Sequence, residues 1–178
     1  MDREFRERTG KFREEWIDIG KYITAKMPYS NIAFSINNQR IMTLDENKKF
    51  MSYFIEEVIN NKNLNAADDL VAEDFVEHLP FPGQGPGREG LKFVIQSMQT
   101  GFPDMHWTVL EQIAEGETVV TRFSWTGTQE GEFMGIPPTH KKVEVWGVVI
   151  DVVRNGLFSE SRIIMDTMGL LQQLGVMG

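Results

Sequence analysis

The residues of this sequence that are able to do chemistry are carboxylates, histidines and arginines set among apolar strands, beside a set of tryptophans. Asp166 follows the apolar run Ile163-Ile164-Met165. A carboxylate ending such a strand is desolvated, which raises its pKa and strengthens it as a base. An Asp just ahead of a helix equally suits an N-cap. Asp151 lies among Val148, Val149, Ile150, Val152 and Val153. Strand alternation puts it on one face with Val149 and Val153, and puts Trp146, Val148, Ile150 and Val152 on the other. An acid in so apolar a strand needs water or a partner. It therefore either faces outward or pairs in a pocket, with Arg162 on the next strand as a partner. Arg162 and Arg122 are suited to binding a carbonyl or carboxylate, and equally to outward positions on a half-solvated sheet. His78, two residues before Pro80, offers an imidazole that can relay a proton or hydrogen-bond an enolate oxygen. Trp107, Trp125 and Trp146 fall on three strands, where they would either line a pocket for a flat polycyclic or polyene-like ligand or serve as plain core. Phe133 and Met134, in a Gly/Pro-rich loop, read as a lid over the pocket mouth or a dimer contact.

Other chemistries lack their residues. Histidines 78, 106 and 140 show no helical pairing of the His-x-x-x-His kind, so no metal site is expected. The chain has no cysteine, which excludes a disulfide framework, a thiolate metal site and a cysteine nucleophile. Gly83-Gln84-Gly85-Pro86-Gly87 contains a proline and lacks the Lys-Ser/Thr of a phosphate loop, and there is no Gly-x-Ser-x-Gly elbow. The net charge of −8 argues against nucleic acid, which needs clustered Lys and Arg. Of the 18 basic and 26 acidic residues, residues 1–45 hold eight and seven, so the acid excess lies in the rest of the chain. A ligand held there is expected to be neutral or weakly charged rather than polyanionic. No apolar run approaches the ~20 residues of a membrane span, and residues 1–15 are densely charged without a signal-peptide apolar stretch. The sequence thus reads as cytoplasmic, with no membrane partner.

The elements that must position these residues follow from periodicity. Residues 1–42 form an extension and link: Phe5, Phe12, Trp16, Ile19 and Ile23 share a helical face that Pro28 ends. The main domain, 43–178, opens at Thr43, which with Glu46 makes a capping-box pattern. A helix over 44–60 follows, with Phe50, Phe54, Ile55 and Val58 on one stripe. A short helix is expected near 65–71, a strand from Phe75 that stops at Pro80, and a helix over 88–100. Strands are expected over roughly 105–115, 117–128, 141–153 and 157–165. Glu115-Gly116-Glu117 and Asn155-Gly156 mark turns between them, the second being a strong hairpin signal. A last helix spans 167–174. Helices followed by hairpin-linked strands predict an α+β fold, a curved antiparallel sheet with the helices packed on its concave face. A cavity between such layers is the usual small-molecule site.

In this order and spacing several stretches resemble the SnoaL-like polyketide cyclases, within the superfamily that includes nuclear transport factor two and ketosteroid isomerase. They are Asp74-Phe75-Val76-Glu77-His78, Pro86-Gly87-Arg88-Glu89-Gly90, Phe102-Pro103-Asp104, Thr126-Gly127-Thr128, residues 131–139 from Gly131 through Met134-Gly135-Ile136-Pro137-Pro138, and Asp166-Thr167 leading into 170–175. The resemblance implies a cone-shaped domain enclosing a pocket, and a homodimer; the extra N-terminal helix read from periodicity would either dock on this domain or serve as a dimer-forming arm or a pocket cover. It also implies a cofactor-independent catalyst of intramolecular aldol ring closure, in which a carboxylate removes a proton α to a carbonyl and the enolate attacks a second carbonyl. By position the family's acid/base aspartate corresponds to Asp166, and His78 stands where ketosteroid isomerase carries a catalytic carboxylate. This chain has Gln129 where the family usually has His, His140 where it has Gly, and Arg162 where it has Trp.

The expectation is therefore a cyclase or isomerase acting on a small apolar or polycyclic carbonyl compound. Asp166 would be its acid/base, His78 a relay, and Arg162 or Asp151 a secondary polar contact. Two rivals share the fold. One is a non-catalytic binding module for an apolar molecule or partner protein. The other is a dehydratase or epoxide hydrolase, which needs a water-positioning cluster that Asp151 with Arg162 would supply in part.

Overall fold

The computed structural model describes residues 42–177; the N-terminal helix and link expected over residues 1–41 lie outside the described residues. Thr43 starts helix α1 (Leu44–Phe54) with both halves of its capping box formed: the Glu46 N–H donates to Thr43 Oγ1 at 3.2 Å, and the Thr43 N–H to Glu46 Oε2 at 2.8 Å. The helix does not run evenly to residue 60. It passes into a π-helical segment, Ile55–Asn60, whose wider turn buries Ile55, Val58 and Ile59. Asn60 anchors the segment's end to the sheet: its side chain donates to the Trp107 carbonyl at 3.0 Å and accepts from the Trp107 N–H at 2.8 Å.

A 3₁₀ turn, Leu64–Ala66, and a one-turn helix α2 (Ala67–Leu70) lead into strand β1 (Val71–Glu77). This strand starts four residues earlier than alternation suggested. Helix α3 (Gly87–Gly101) follows, and then β2 (His106–Glu115), β3 (Thr118–Thr128), β4 (Lys142–Arg154), β5 (Leu157–Met165) and helix α4 (Thr167–Leu174). The β4–β5 hairpin turns at Asn155 and Gly156, both at positive φ (56° and 77°), as a two-residue loop matching the strand twist requires.

The five strands form one open sheet in the order β1-β5-β4-β3-β2. Strands β2 to β5 are antiparallel neighbours, but β1 pairs parallel with β5, so the sheet is mixed rather than wholly antiparallel. A parallel neighbour cannot be made by a hairpin. Helix α3 and the β2–β4 meander intervene before β5 arrives beside β1.

The inner face of β4 carries Val143, Val145, Gly147, Val149, Asp151 and Val153, and the core forms between that face and the helices. Gly147 is required there, because a Cβ would meet the Phe123 ring at 2.5 Å and the Ile164 carbonyl at 2.7 Å. One irregularity governs the site. The β4–β5 ladder runs Arg154↔Leu157 and Val153↔Phe158, then slips to Val152↔Glu160 and Asp151↔Ser161. Ser159 is the extra residue of a β-bulge, and each residue of β5 beyond it swaps face relative to a regular ladder.

Candidate active site

Helices α1 and α3, the π segment and the inner sheet face enclose a cavity of about 70 Å³. Pockets that bury a whole drug-sized molecule run to several hundred Å³, and this one is smaller. Its wall is mostly apolar: Phe54, Ile55, Val94, Ile95 and Trp107 are among its members. Trp107 is held flat by stacking on Phe123, with ring centroids 4.1 Å apart and planes 16° apart, and its indole N–H points to Met105 Sδ at 3.4 Å.

Four polar side chains line the cavity: Asp151, Ser161, Glu77 and Gln84. The first three stand in one row across the sheet, because Asp151 faces Ser161 across the β4–β5 ladder and Ser161 faces Glu77 across β5–β1. Asp151 is 1% exposed. The Ser161 hydroxyl donates to its Oδ1 at 2.9 Å. Burial pushes the Asp151 carboxyl up to about 8; the Ser161 hydrogen bond opposes the rise and the nearby Glu77 charge adds to it. Asp151 therefore sits mostly protonated at neutral pH and exchanges its proton close to it. Glu77 is half-buried and accepts from the Leu79 N–H at 3.0 Å, while Gln84 accepts from the Phe81 N–H at 3.0 Å.

Of the residues singled out in the sequence, Asp151 and Trp107 line the cavity and the others do not. Asp151 faces inward, and its partner is Ser161. Arg162, expected beside it, shares the outer face with its ladder neighbour Ile150 and lies 3.8 Å from Glu160. The bulge at Ser159 is the cause, since a regular hairpin would have turned Glu160 and Arg162 inward. His78 lies outside the cavity and contacts Glu160 at 2.9 Å, and Glu160 also takes Arg154 at 3.0 Å. Arg122 pairs with Glu111 on the surface.

Asp166 is half-buried and caps α4: its Oδ1 accepts from the Gly169 N–H at 2.8 Å. A Cβ at position 169 would collide with that carboxylate. The Asp166 backbone N–H donates to the Trp146 carbonyl at 3.0 Å. Trp146 itself is on the outer face, 58% exposed. Trp125 is fully buried against Phe102, edge to face at 5.0 Å, and belongs to the core.

The loop after β3 is closed on itself. Buried Gln129 accepts from the Thr139 hydroxyl at 2.7 Å and donates to the Ile136 carbonyl at 3.1 Å. Within that loop Phe133 packs edge to face on Phe102 at 5.2 Å, and Met134 is exposed at a turn with φ 52°.

Sequence reasoning missed Ser161, Glu77 and Gln84. Period-two alternation could have flagged Ser161 only if the bulge had been known, and β1 gave no sign of its parallel partner. Among the described residues no group of three or more His, Asp or Glu side chains is placed to hold a metal ion.

An open, mixed five-stranded sheet packed by helices around one apolar cavity defines an α+β domain of the nuclear transport factor two kind. The family model for SnoaL-like polyketide cyclases matches residues 49–174, and the chain belongs to that family. No curated protein matches its sequence significantly. Among solved structures it is similar to IdmH of Streptomyces antibioticus, described as a candidate polyketide cyclase. That match has 36% identity and a TM-score of 0.64, and covers 73% of this chain and 99% of that one. It is also similar to TsrD of Streptomyces laurentii at 26% identity and a TM-score of 0.67, covering 73% of this chain and 95% of that one. AclR of Streptomyces galilaeus, described as a candidate hydroxylase, shares the fold at 23% identity and a TM-score of 0.67, covering 76% of this chain and all of that one.

Proposed function

We propose that this protein is a cofactor-independent cyclase that closes a ring on a carbonyl-bearing, largely apolar substrate, with Asp151 as the group that takes and returns the proton. The observation that carries this reading is the fully buried carboxyl of Asp151, raised to about 8, in a mostly apolar cavity. A base works best when its pKa lies near the working pH. In its ionised form Asp151 takes a proton from the carbon α to a carbonyl. The enolate carbon then forms a bond to a second carbonyl carbon of the same chain, and the resulting alkoxide takes the proton back from Asp151. One carboxyl suffices and the proton balance closes, so the scheme calls for no cofactor. Ser161 holds Oδ1, leaving the other oxygen for the substrate, and the flat Trp107 ring gives a planar enolate a surface to lie on.

Asp166, the position the family resemblance suggested for this role, caps α4 instead of lining the cavity, which supports placing the chemistry at Asp151. The decisive experiment is ring closure of a linear β-keto mimic by the wild type, Asp151→Asn and Asp166→Asn. The proposal expects Asp151→Asn to lose at least ~100-fold in kcat, the usual scale of a missing general acid/base, with Asp166→Asn close to wild type. The opposite ranking would return the role to Asp166. The strongly apolar wall also suits a pure binding module. Tight binding of the mimic without turnover by the wild type would favour that reading.

The outer sheet face exposes Trp146, Ile164 and Ile113, the last two each 64% exposed. We place a homodimer contact there, with Trp146→Glu expected to give a monomer in light-scattering chromatography. Among the described residues no helix is long and apolar enough to cross a membrane.

A further inference from the structure

Resting on the reading of the cavity as a ligand site, we infer that it selects by charge: it admits neutral or cationic groups that carry a hydrogen-bond donor towards Glu77, and it excludes free carboxylates. The polar inventory of the wall is one-sided. It consists of Asp151, Ser161, Glu77 and Gln84, and no lysine, arginine or histidine is among the lining residues. Three basic side chains close to this row in sequence lie on the other face. His78, Arg154 and Arg162 all gather on Glu160, at 2.9, 3.0 and 3.8 Å. The Ser159 bulge is what keeps Arg162 on that side.

An anionic group entering the cavity would lose its hydration, meet the carboxylate of Glu77 and find no counter-charge, and each of these opposes binding. Such an unpaired like charge is a means of rejecting a wrong ligand. Glu77 is suited to the role of specificity residue. It sits half-buried in the row Glu77–Ser161–Asp151, and one of its oxygens is fixed by the Leu79 N–H. Gln84 has its carbonyl oxygen engaged by the Phe81 N–H. A hydroxyl, an N–H or an ammonium on the ligand would satisfy the Glu77 carboxylate, whereas a carboxylate would not.

Three single-ring probes that differ only in their polar group test the rule: p-cresol, 4-methylbenzylamine and 4-methylbenzoate, titrated into the full chain at pH 7 by calorimetry. The inference expects p-cresol and the amine to bind, and 4-methylbenzoate to bind at least ~10-fold more weakly than p-cresol. In Glu77→Gln the penalty on 4-methylbenzoate relative to p-cresol shrinks several-fold, and the amine loses affinity. Equal binding of p-cresol and 4-methylbenzoate by the wild type overturns the charge rule and leaves the cyclase proposal standing. A penalty that persists in folded Glu77→Gln removes the role from Glu77 and overturns the inference as stated. If none of the three probes binds the folded wild type, the cavity is no ligand site and both proposals fall. The wild-type comparison alone decides the charge rule even if the variant fails to fold.

Discussion

The hydroxyl of Ser161 donates to Oδ1 of Asp151 at 2.9 Å across the β4–β5 ladder, at the floor of the cavity. A hydrogen bond to a carboxylate favours its charged form, whereas burial and a neighbouring negative charge disfavour it. Asp151 is caught between these influences with burial the largest.

Substitutions at the two neighbours should move the Asp151 titration in opposite directions. Ser161→Ala removes the bond that lowers the pKa, so the midpoint should rise above its value of about 8. Glu77→Gln removes the charge that raises it, so the midpoint should fall. Carboxyl carbon-13 NMR across pH 5–10 reads both. Shifts of the same sign in the two variants would break this account of the site.

Stability should depend on pH with a definite sign. The folded Asp151 carboxyl is raised to about 8 from an ordinary 3.8, so between those values the native state holds a proton that the unfolded chain has released. Stability then falls as pH rises through this window, by up to about 1.4 kcal/mol per pH unit, and the loss levels off above pH 8. Asp151→Asn carries no such proton. Urea titrations of both proteins at pH 5, 7 and 9 should show the wild type losing ground to the variant as pH rises.

Removing the Asp166 cap should cost stability without touching the cavity. Asp166→Ala loses the bond to the Gly169 N–H, an effect of about 1 kcal/mol for a helix N-cap. The midpoint of the Asp151 titration should stay where it is. A change in that midpoint would mean that the two carboxyls communicate, which the geometry gives no reason to expect.

Deleting Ser159 should leave the facing of the site intact. The chain then runs from Phe158 directly to Glu160, and a regular ladder keeps Glu160 opposite Val152 and Ser161 opposite Asp151. The deletion variant should fold, and the midpoint of its Asp151 titration should stay close to that of the wild type. A marked change in that midpoint, read by carboxyl carbon-13 NMR, would show that the bulge does more than set which residues of β5 face inward.

Much of this molecule is legible in its sequence because local rules govern it. The Thr43–Glu46 box, the Asn155-Gly156 hairpin, the helix over 167–174 and the alternation of β4 depend on residues a few positions apart, and the structure has all four. Alternation also put Asp151 on the face of Val149, and that is the cavity face. The sequence by itself thus determined the family, most of the elements and the face that Asp151 shares with Val149. Only the tertiary structure decided what that acid meets. An extra residue at Ser159 reverses the facing of β5, which replaces Arg162 with Ser161 at the site, and a parallel pairing with β5 brings Glu77 into the same row. Periodicity registers which residues share a face along one strand, but it carries no information about a slip between two strands or about which distant strand lies alongside.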